Sequence, residues 1–365
     1  MPAQPIPPVN SLNISRPLFE SLEELARIVD ISYCVGSTGI SKPFKCMGRC
    51  SEFEGFELVT TWNTGPLLSD SCGYVALSHE PFQKRVIVAF RGTYSIANTI
   101  ADLSTTPAEY MPFPADSDHD EVCTQAQAEN NKQSLLPQLV KQNKRDLKGP
   151  RCDNCTVHTG FMTSWRNTRC TIIPHVEKAL NDNPGYELTL VGHSLGGAVA
   201  ALAALEFQAR GWQPKRFNLH ATSPENALYR RVTHANDPVP LLPLEEWGYF
   251  MHAGEIFIEK EALPPAPENL RVCRGDEDIE CIAGGVASQV GEDDFVEMRL
   301  QDGSTVKTLW GIGKRYRLWE LFFAHRDYFW RLGLCVPGGD PWDWGRGKYD
   351  HEESVRGNDE EGDEL

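Results

Sequence analysis

The stretch YELTLVGHSLGGAVAALAALEFQARGW, Tyr186 to Trp212, decides how the rest of the chain is read. Its apolar run Leu188–Val191 predicts a buried strand, and the alanine-rich segment from Leu195 predicts a helix closed by Gly211. Between them Gly192-His193-Ser194-Leu195-Gly196 spells G-x-S-x-G. In such an elbow the serine takes a strained backbone conformation, and small residues on both sides are needed to avoid clashes. The following helix aims its free amides and positive dipole end at the serine. A glycine-rich turn that merely lets helix and strand approach closely would be spelled the same way. The strand before it and the helix after it favour a nucleophilic Ser194.

An elbow serine needs a base, an orienting acid and an oxyanion hole. On doubly wound sheets the chain order is serine, acid, histidine. After Ser194 the best acid is Asp237 in VTHANDPVPLLP, at the end of the strand-like YRRVTH and held by Pro238. Its plainer reading is a turn aspartate capping its own backbone. Three histidines follow: His252, His325 and His351. His351 falls in the acidic tail. His252, in YFMHAGEIFI, is expected mid-strand among apolar residues, as a packed structural histidine. His325, in LFFAHRDYFWRLGLC near the end of the ordered chain, is the preferred base.

Upstream, SLEELARIVDISYC spaces Leu22, Leu25, Ile28 and Val29 as an amphipathic helix, and FELVTTW, GYVALS and RVIVAF read as strands. The stretch VIVAFRGTYSIANTIADL begins as the third of these strands, breaks at Arg91-Gly92-Thr93, and resumes with helical spacing. If Ser95 to Leu103 is helical, Ile96, Ile100 and Leu103 share one face while Asn98, Thr99 and Asp102 face away. Such a helix can cover an apolar pocket, or simply dock on the core. From Pro107 to about Arg151 the pattern dissolves into a polar surface insertion. GFMTSWRNTRCTIIPHVEKALND then predicts a helix leading into the elbow strand. The expected fold is α/β: a mostly parallel sheet flanked by helices.

Composition sets outer limits. The 365 residues, 41% of them hydrophobic, suffice for one large domain, here residues 16–340. Residues 1–15 read as a flexible N-terminal segment, and 341–365 as a disordered acidic tail. The formal net charge of −16 excludes nucleic acid as a partner. No run reaches the roughly 20 apolar residues of a membrane helix, and the N-terminus lacks the apolar core of a secretory signal. Yet the chain has 11 cysteines in close pairs, with sequons at Asn13 and Asn154, which points to an oxidising compartment: the secretory pathway or the cell exterior. A cytosolic chain with free thiols is the bland reading, and zinc at CMGRC and CDNC a remote one. The final Gly-Asp-Glu-Leu is close to a lumenal retrieval signal without its basic first residue.

VGHSLGGAVAALAAL, VIVAFRGTYSIANTIADL, VHTGFMTSW, NDPVPLLP, YFMHAGEIFI and AHRDYFWRLGLC together resemble the filamentous-fungal class 3 lipases, a family that also contains feruloyl esterases. The resemblance runs in family order from about Leu18 to Cys335. It implies an α/β-hydrolase fold and a Ser194, Asp237, His325 triad. It also implies an oxyanion hole at Thr93 and Leu195, and a lid bearing Ile96, Ile100 and Leu103. By the same similarity Cys34 pairs with Cys335, Cys46 with Cys50, Cys152 with Cys155, and Cys273 with Cys281, leaving Cys72, Cys123 and Cys170 without counterparts. No metal or organic cofactor is implied. The expected protein is a monomeric serine carboxylester hydrolase that meets acylglycerols at a lipid–water interface.

One departure stands out. Relatives normally follow the elbow helix with a strand ending in an aromatic-Thr-x-Gly-x-Pro-x-x-Gly-Asn motif and a further helix. Here RFNLHATSPENALYRRVTHANDPVP goes from strand to strand without it. That loss of wall beside Asp237 leaves a catalytically impaired binding protein as one rival. A soluble feruloyl or other carboxylesterase, which would want a polar lid, is the other.

Overall fold

The computed structural model describes residues 13–65, 70–93, 107–110, 154–212, 229–235, 237, 239–243, 248–276, 278–282, 296–299, 305–308, 324–337 and 341. Helix α1 (Arg16–Ile31) opens the chain, capped by the Ser15 hydroxyl, which accepts from the Leu18 amide at 3.3 Å. Strands β1 (Phe56–Asn63), β2 (Cys72–Ser78) and β3 (Arg85–Phe90) follow, then the short β4 (Pro107–Glu109) and β5 (Thr156–His158). Helix α2 (Thr159–Asp182), strand β6 (Glu187–Gly192) and helix α3 (Leu195–Ala209) complete the elbow unit. Strands β7 (Arg231–His234), β8 (Glu255–Ile258), β9 (Leu270–Val272), β10 (Val296–Arg299) and β11 (Thr305–Thr308) come last.

Strands β1, β2, β3 and β6 form one sheet in that order, with β1–β2–β3 antiparallel and β3–β6 parallel. The parallel step requires a long crossover, supplied in part by α2. Strand β3 is buried on both faces and so reads as an unbroken apolar run rather than an alternating one. Its side chains still divide by period two. Val86, Val88 and Phe90 pack with Trp165, Ile172 and Val176 of α2 and with Val199, Ala203 and Phe207 of α3. Ile87 and Ala89 turn to the opposite face, against Ile28 and Ile31 of α1 and Phe53 and Phe56. Each of these large apolar side chains contributes about 1.5–3 kcal/mol by leaving water. The sheet is thereby locked between helices.

A second sheet runs β7–β8–β9, its first pair parallel. Ile256, Ile258 and Leu270 of this sheet meet Leu18, Phe19 and Leu22 of α1 and the C-terminal Phe329, Trp330 and Leu332. Helix α1 therefore joins both sheets to the segment that bears His325.

The stretch read as a polar insertion opens on a short strand. Residues 107–109 pair with β5 in an antiparallel ladder, closed further by the Tyr110 amide donating to the Cys155 carbonyl at 2.8 Å. Most of the remainder, like the tail after 341 and nearly all of the N-terminal segment, lies outside the described residues.

Candidate active site

The elbow is built by a strained serine and two close approaches. Ser194 takes φ 57° and ψ −132°, a left-handed backbone rare for a side-chain-bearing residue. A Cβ on Gly192 would lie 2.1 Å from the Gly196 oxygen, and one on Gly196 would lie 2.4 Å from the Phe90 oxygen. Both glycines of the motif are thus demanded by backbone contact, and α3 starts immediately after the serine. The half-buried Ser194 stands before the helix N-terminus, where free amides point outward.

Strand register brings the end of β3 to the same place. Phe90 is paired with Gly192, so Gly92 and Thr93 emerge beside the turn. A Cβ on Gly92 would be 2.9 Å from the Ser194 Cβ and 2.5 Å from the Tyr33 hydroxyl. Thr93 is half-buried at this edge. Leu195, the other expected amide donor, is buried as the first residue of α3.

Asp237 and His325, 88 residues apart, meet through a 2.8 Å hydrogen bond from His325 Nδ1 to Asp237 Oδ2. Both are almost fully buried. The short chain between elbow and acid does not stop Asp237 from reaching His325; the missing motif itself falls in residues 213–228, outside those described. Asp237 accepts two more bonds, from the Tyr328 hydroxyl at 2.6 Å and the Val239 amide at 3.0 Å. Burial works to raise its pKa. The His325 ring and its bond, with Tyr328 and the Val239 amide, win and hold the carboxyl below the usual value. An ionised Asp237 fixes the proton of His325 on Nδ1, so Nε2 carries the free lone pair. That Nε2 is buried and has no hydrogen-bond partner among the described residues.

His193 carries the His325 loop. Its ring lies 4.8 Å from the His325 ring, centroid to centroid, and its Nε2 donates to the His325 carbonyl at 2.8 Å. Its Nδ1 accepts from the Tyr33 hydroxyl at 2.6 Å. Burial first, then the neighbouring His325, push the His193 pKa down to about 3, so this imidazole is neutral. Sequence reading missed Tyr33, His193 and Tyr328. Tyr328, three residues beyond the base, and His193, inside the elbow motif, had a local signal; Tyr33 had none.

Other expectations need adjusting. His252 is exposed and precedes β8 instead of sitting within it, bonded to the Tyr229 hydroxyl at 3.2 Å; the apolar pattern around it belongs to Ile256 and Ile258. Cys34–Cys335, Cys46–Cys50 and Cys273–Cys281 are disulfides, which removes zinc at CMGRC. Cys155 and Cys170 are also disulfide-bonded, so Cys170 is no spare thiol. Cys152 and Cys123 lie outside the described residues, as do Ile96, Ile100 and Leu103 of the expected lid. Cys72 is free and buried. Among the described residues no helix is long and apolar enough to cross a membrane.

Residues 87–229 match the family described as Lipase (class 3). The chain is 45% identical to the secreted mono- and diacylglycerol lipase 2 of Gibberella zeae, over 92% of this chain and 86% of that protein. It is 46% identical to lipase A of Sodiomyces alcalophilus, over 91% of this chain and 86% of the relative. In structure it resembles the Lip2 lipase of Yarrowia lipolytica with a TM-score of 0.64 at 24% identity, covering 89% of this chain and 97% of that one. That likeness carries the α/β-hydrolase fold. The secreted relatives and the disulfides put the protein in the secretory pathway or outside the cell. With the fold, the elbow and these relatives in agreement, the chain belongs to the class 3 lipases and is a carboxylic ester hydrolase.

Proposed function

We propose that this lipase hydrolyses acylglycerols, mono- and diacylglycerols among them, through a Ser194–His325–Asp237 triad. The observation that carries the triad is the 2.8 Å His325–Asp237 bond together with a buried His325 Nε2 that has no partner among the described residues. Nε2 takes the Ser194 proton as Oγ attacks the ester carbonyl. The oxyanion is held by the Thr93 and Leu195 amides. His325 then hands its proton to the leaving glycerol oxygen, and water repeats the cycle on the acyl-enzyme. Asp237 stays ionised throughout and stabilises the imidazolium. The spacing of Ile96, Ile100 and Leu103, which lie outside the described residues, suits the apolar face of a lid that meets lipid, and the enzyme is taken to work as a monomer at the lipid–water interface.

The acylglycerol reading is supported by the substrate class in the name of the Gibberella zeae relative and by the apolar spacing of Ile96, Ile100 and Leu103. The test is hydrolysis of short- and long-chain mono-, di- and triacylglycerols and of a feruloyl ester, below and above the solubility limit. Activity should rise above that limit, and Ser194→Ala should lose about a thousandfold or more. Turnover of the feruloyl ester alone would overturn the lipid substrate.

A further inference from the structure

We infer that Tyr33 and His193 form a buried hydrogen-bonded relay that positions the catalytic histidine against the oxyanion strand, making them positioning residues of the triad proposed above. The relay has a definite polarity. Gly92 packs against Tyr33, where a Cβ on it would lie 2.5 Å from the hydroxyl; Tyr33 donates to His193 Nδ1 at 2.6 Å, and His193 Nε2 donates to the His325 carbonyl at 2.8 Å. A carbonyl only accepts, so the His193 proton must be on Nε2. The lone pair on Nδ1 is then what the Tyr33 hydroxyl requires. Burial keeps His193 neutral, so Nδ1 stays an acceptor and the direction of the Tyr33 bond is kept.

Three separate parts of the catalytic framework meet on this chain of atoms. Gly92 leads into Thr93, His193 sits within the elbow beside Ser194, and the last acceptor is the backbone of the base itself. The tie is made to the His325 carbonyl, away from the Nδ1 that Asp237 engages, so relay and acid restrain the base independently. Ring contact adds orientation: His193 lies 4.8 Å from the His325 ring and 5.8 Å from the Tyr328 ring. An elbow motif by itself would accept many residues at the position before its serine. Here the imidazole fits because it offers one donor and one acceptor, spaced to span Tyr33 and the His325 backbone.

The test compares Tyr33→Phe, His193→Phe, the double variant and His193→Gln in the full-length enzyme. Turnover of a soluble short-chain ester is expressed per site titrated with an organophosphonate that phosphonylates the nucleophilic serine, so that only folded sites count. Each Phe variant should lose about ten- to a hundredfold in kcat with KM changed less than about threefold, because the base is displaced while the pocket is kept. The double variant should be no worse than the poorer single one, since either change cuts the same chain. His193→Gln, whose uncharged side chain offers an amide NH2 as donor and a carbonyl as acceptor, should recover most of the loss.

Unchanged kcat per titrated site, losses that multiply in the double variant, or a Gln variant no better than Phe would each overturn the relay. If His193→Phe yields no titratable sites, Tyr33→Phe, which removes a single oxygen, and His193→Gln still decide the matter. Phosphonate labelling of Ser194→Ala tests the triad separately: persistent labelling would sink the triad, whereas its loss alongside multiplicative relay variants would sink only the relay.

Discussion

At the scale of single residues the site is a problem of where protons sit. Asp237 receives three hydrogen bonds and is held ionised, which keeps the His325 proton on Nδ1 and leaves Nε2 bare. Asp237→Asn would offer an amide in place of the carboxylate and favour the wrong tautomer. The expected loss is about 10³–10⁴ in kcat with KM little changed, measured on the soluble ester. His193 makes a separate prediction about acid stability. Its pKa falls from an unfolded value near 6.5 to about 3. Below about pH 6.5 the unfolded chain therefore binds a proton that the folded one refuses, and each further pH unit costs about 1.4 kcal/mol. Asp30 acts in the opposite sense. Burial raises it to about 6, so its contribution grows as pH falls from about 6 toward its ordinary value of 3.8, and partly offsets the loss. His193→Gln should remove the penalty and keep the offset. Thermal unfolding at pH 7 and pH 4.5 should then show a smaller acid loss in the variant than in the parent; an equal loss would refute the assignment.

Elements decide whether those residues can meet at all. Strand β3 delivers Gly92 and Thr93, and β6 with α3 delivers Ser194, because their parallel register ends flush at Phe90 and Gly192. Backbone-to-backbone contact at the elbow leaves no room for adjustment. Gly196→Ala would place its Cβ 2.4 Å from the Phe90 oxygen and 2.7 Å from the Arg91 oxygen, both main-chain atoms that cannot swing aside. A loss of at least about 3 kcal/mol is expected, seen as a lowered midpoint in denaturant unfolding or as failure to accumulate folded protein. A nearly native midpoint would mean that strand and helix are less closely packed than described.

The whole molecule is closed by its two ends. Cys34, just past α1, is bonded to Cys335 across 301 residues of sequence. Beside this link the Gly333 amide donates to Asp30 at 2.7 Å and the Trp330 indole donates to Glu23 at 2.9 Å. All three ties hold the segment that begins with His325 onto α1. Replacing both cysteines, Cys34→Ser with Cys335→Ser, should cost about 3–5 kcal/mol, because the unfolded chain regains the freedom of a very long loop. Activity should fail at a lower temperature than in the parent, which thermal inactivation of the two proteins would measure. If the double variant is inactivated at the parent's temperature, the other ties suffice to hold the segment.

How much of this could be read without coordinates follows from range. The elbow, the strand β3 that leads to Thr93 and the helices α1 to α3 are local patterns of period two or 3.6 broken by glycine, and such patterns depend only on near neighbours. Ser194 was legible for that reason, and Asp237 and His325 could be nominated from chain order. The placing of His252 failed because an apolar run marks a strand without fixing its ends. Which histidine meets Asp237, and what holds it there, was decided by folding: the decisive bonds join residues 88, 91, 132 and 160 apart in sequence. A hydrogen bond needs a donor and an acceptor within about 3 Å. Sequence determined which groups this chain owns, and the packing of two sheets against α1 determined which of them come that close.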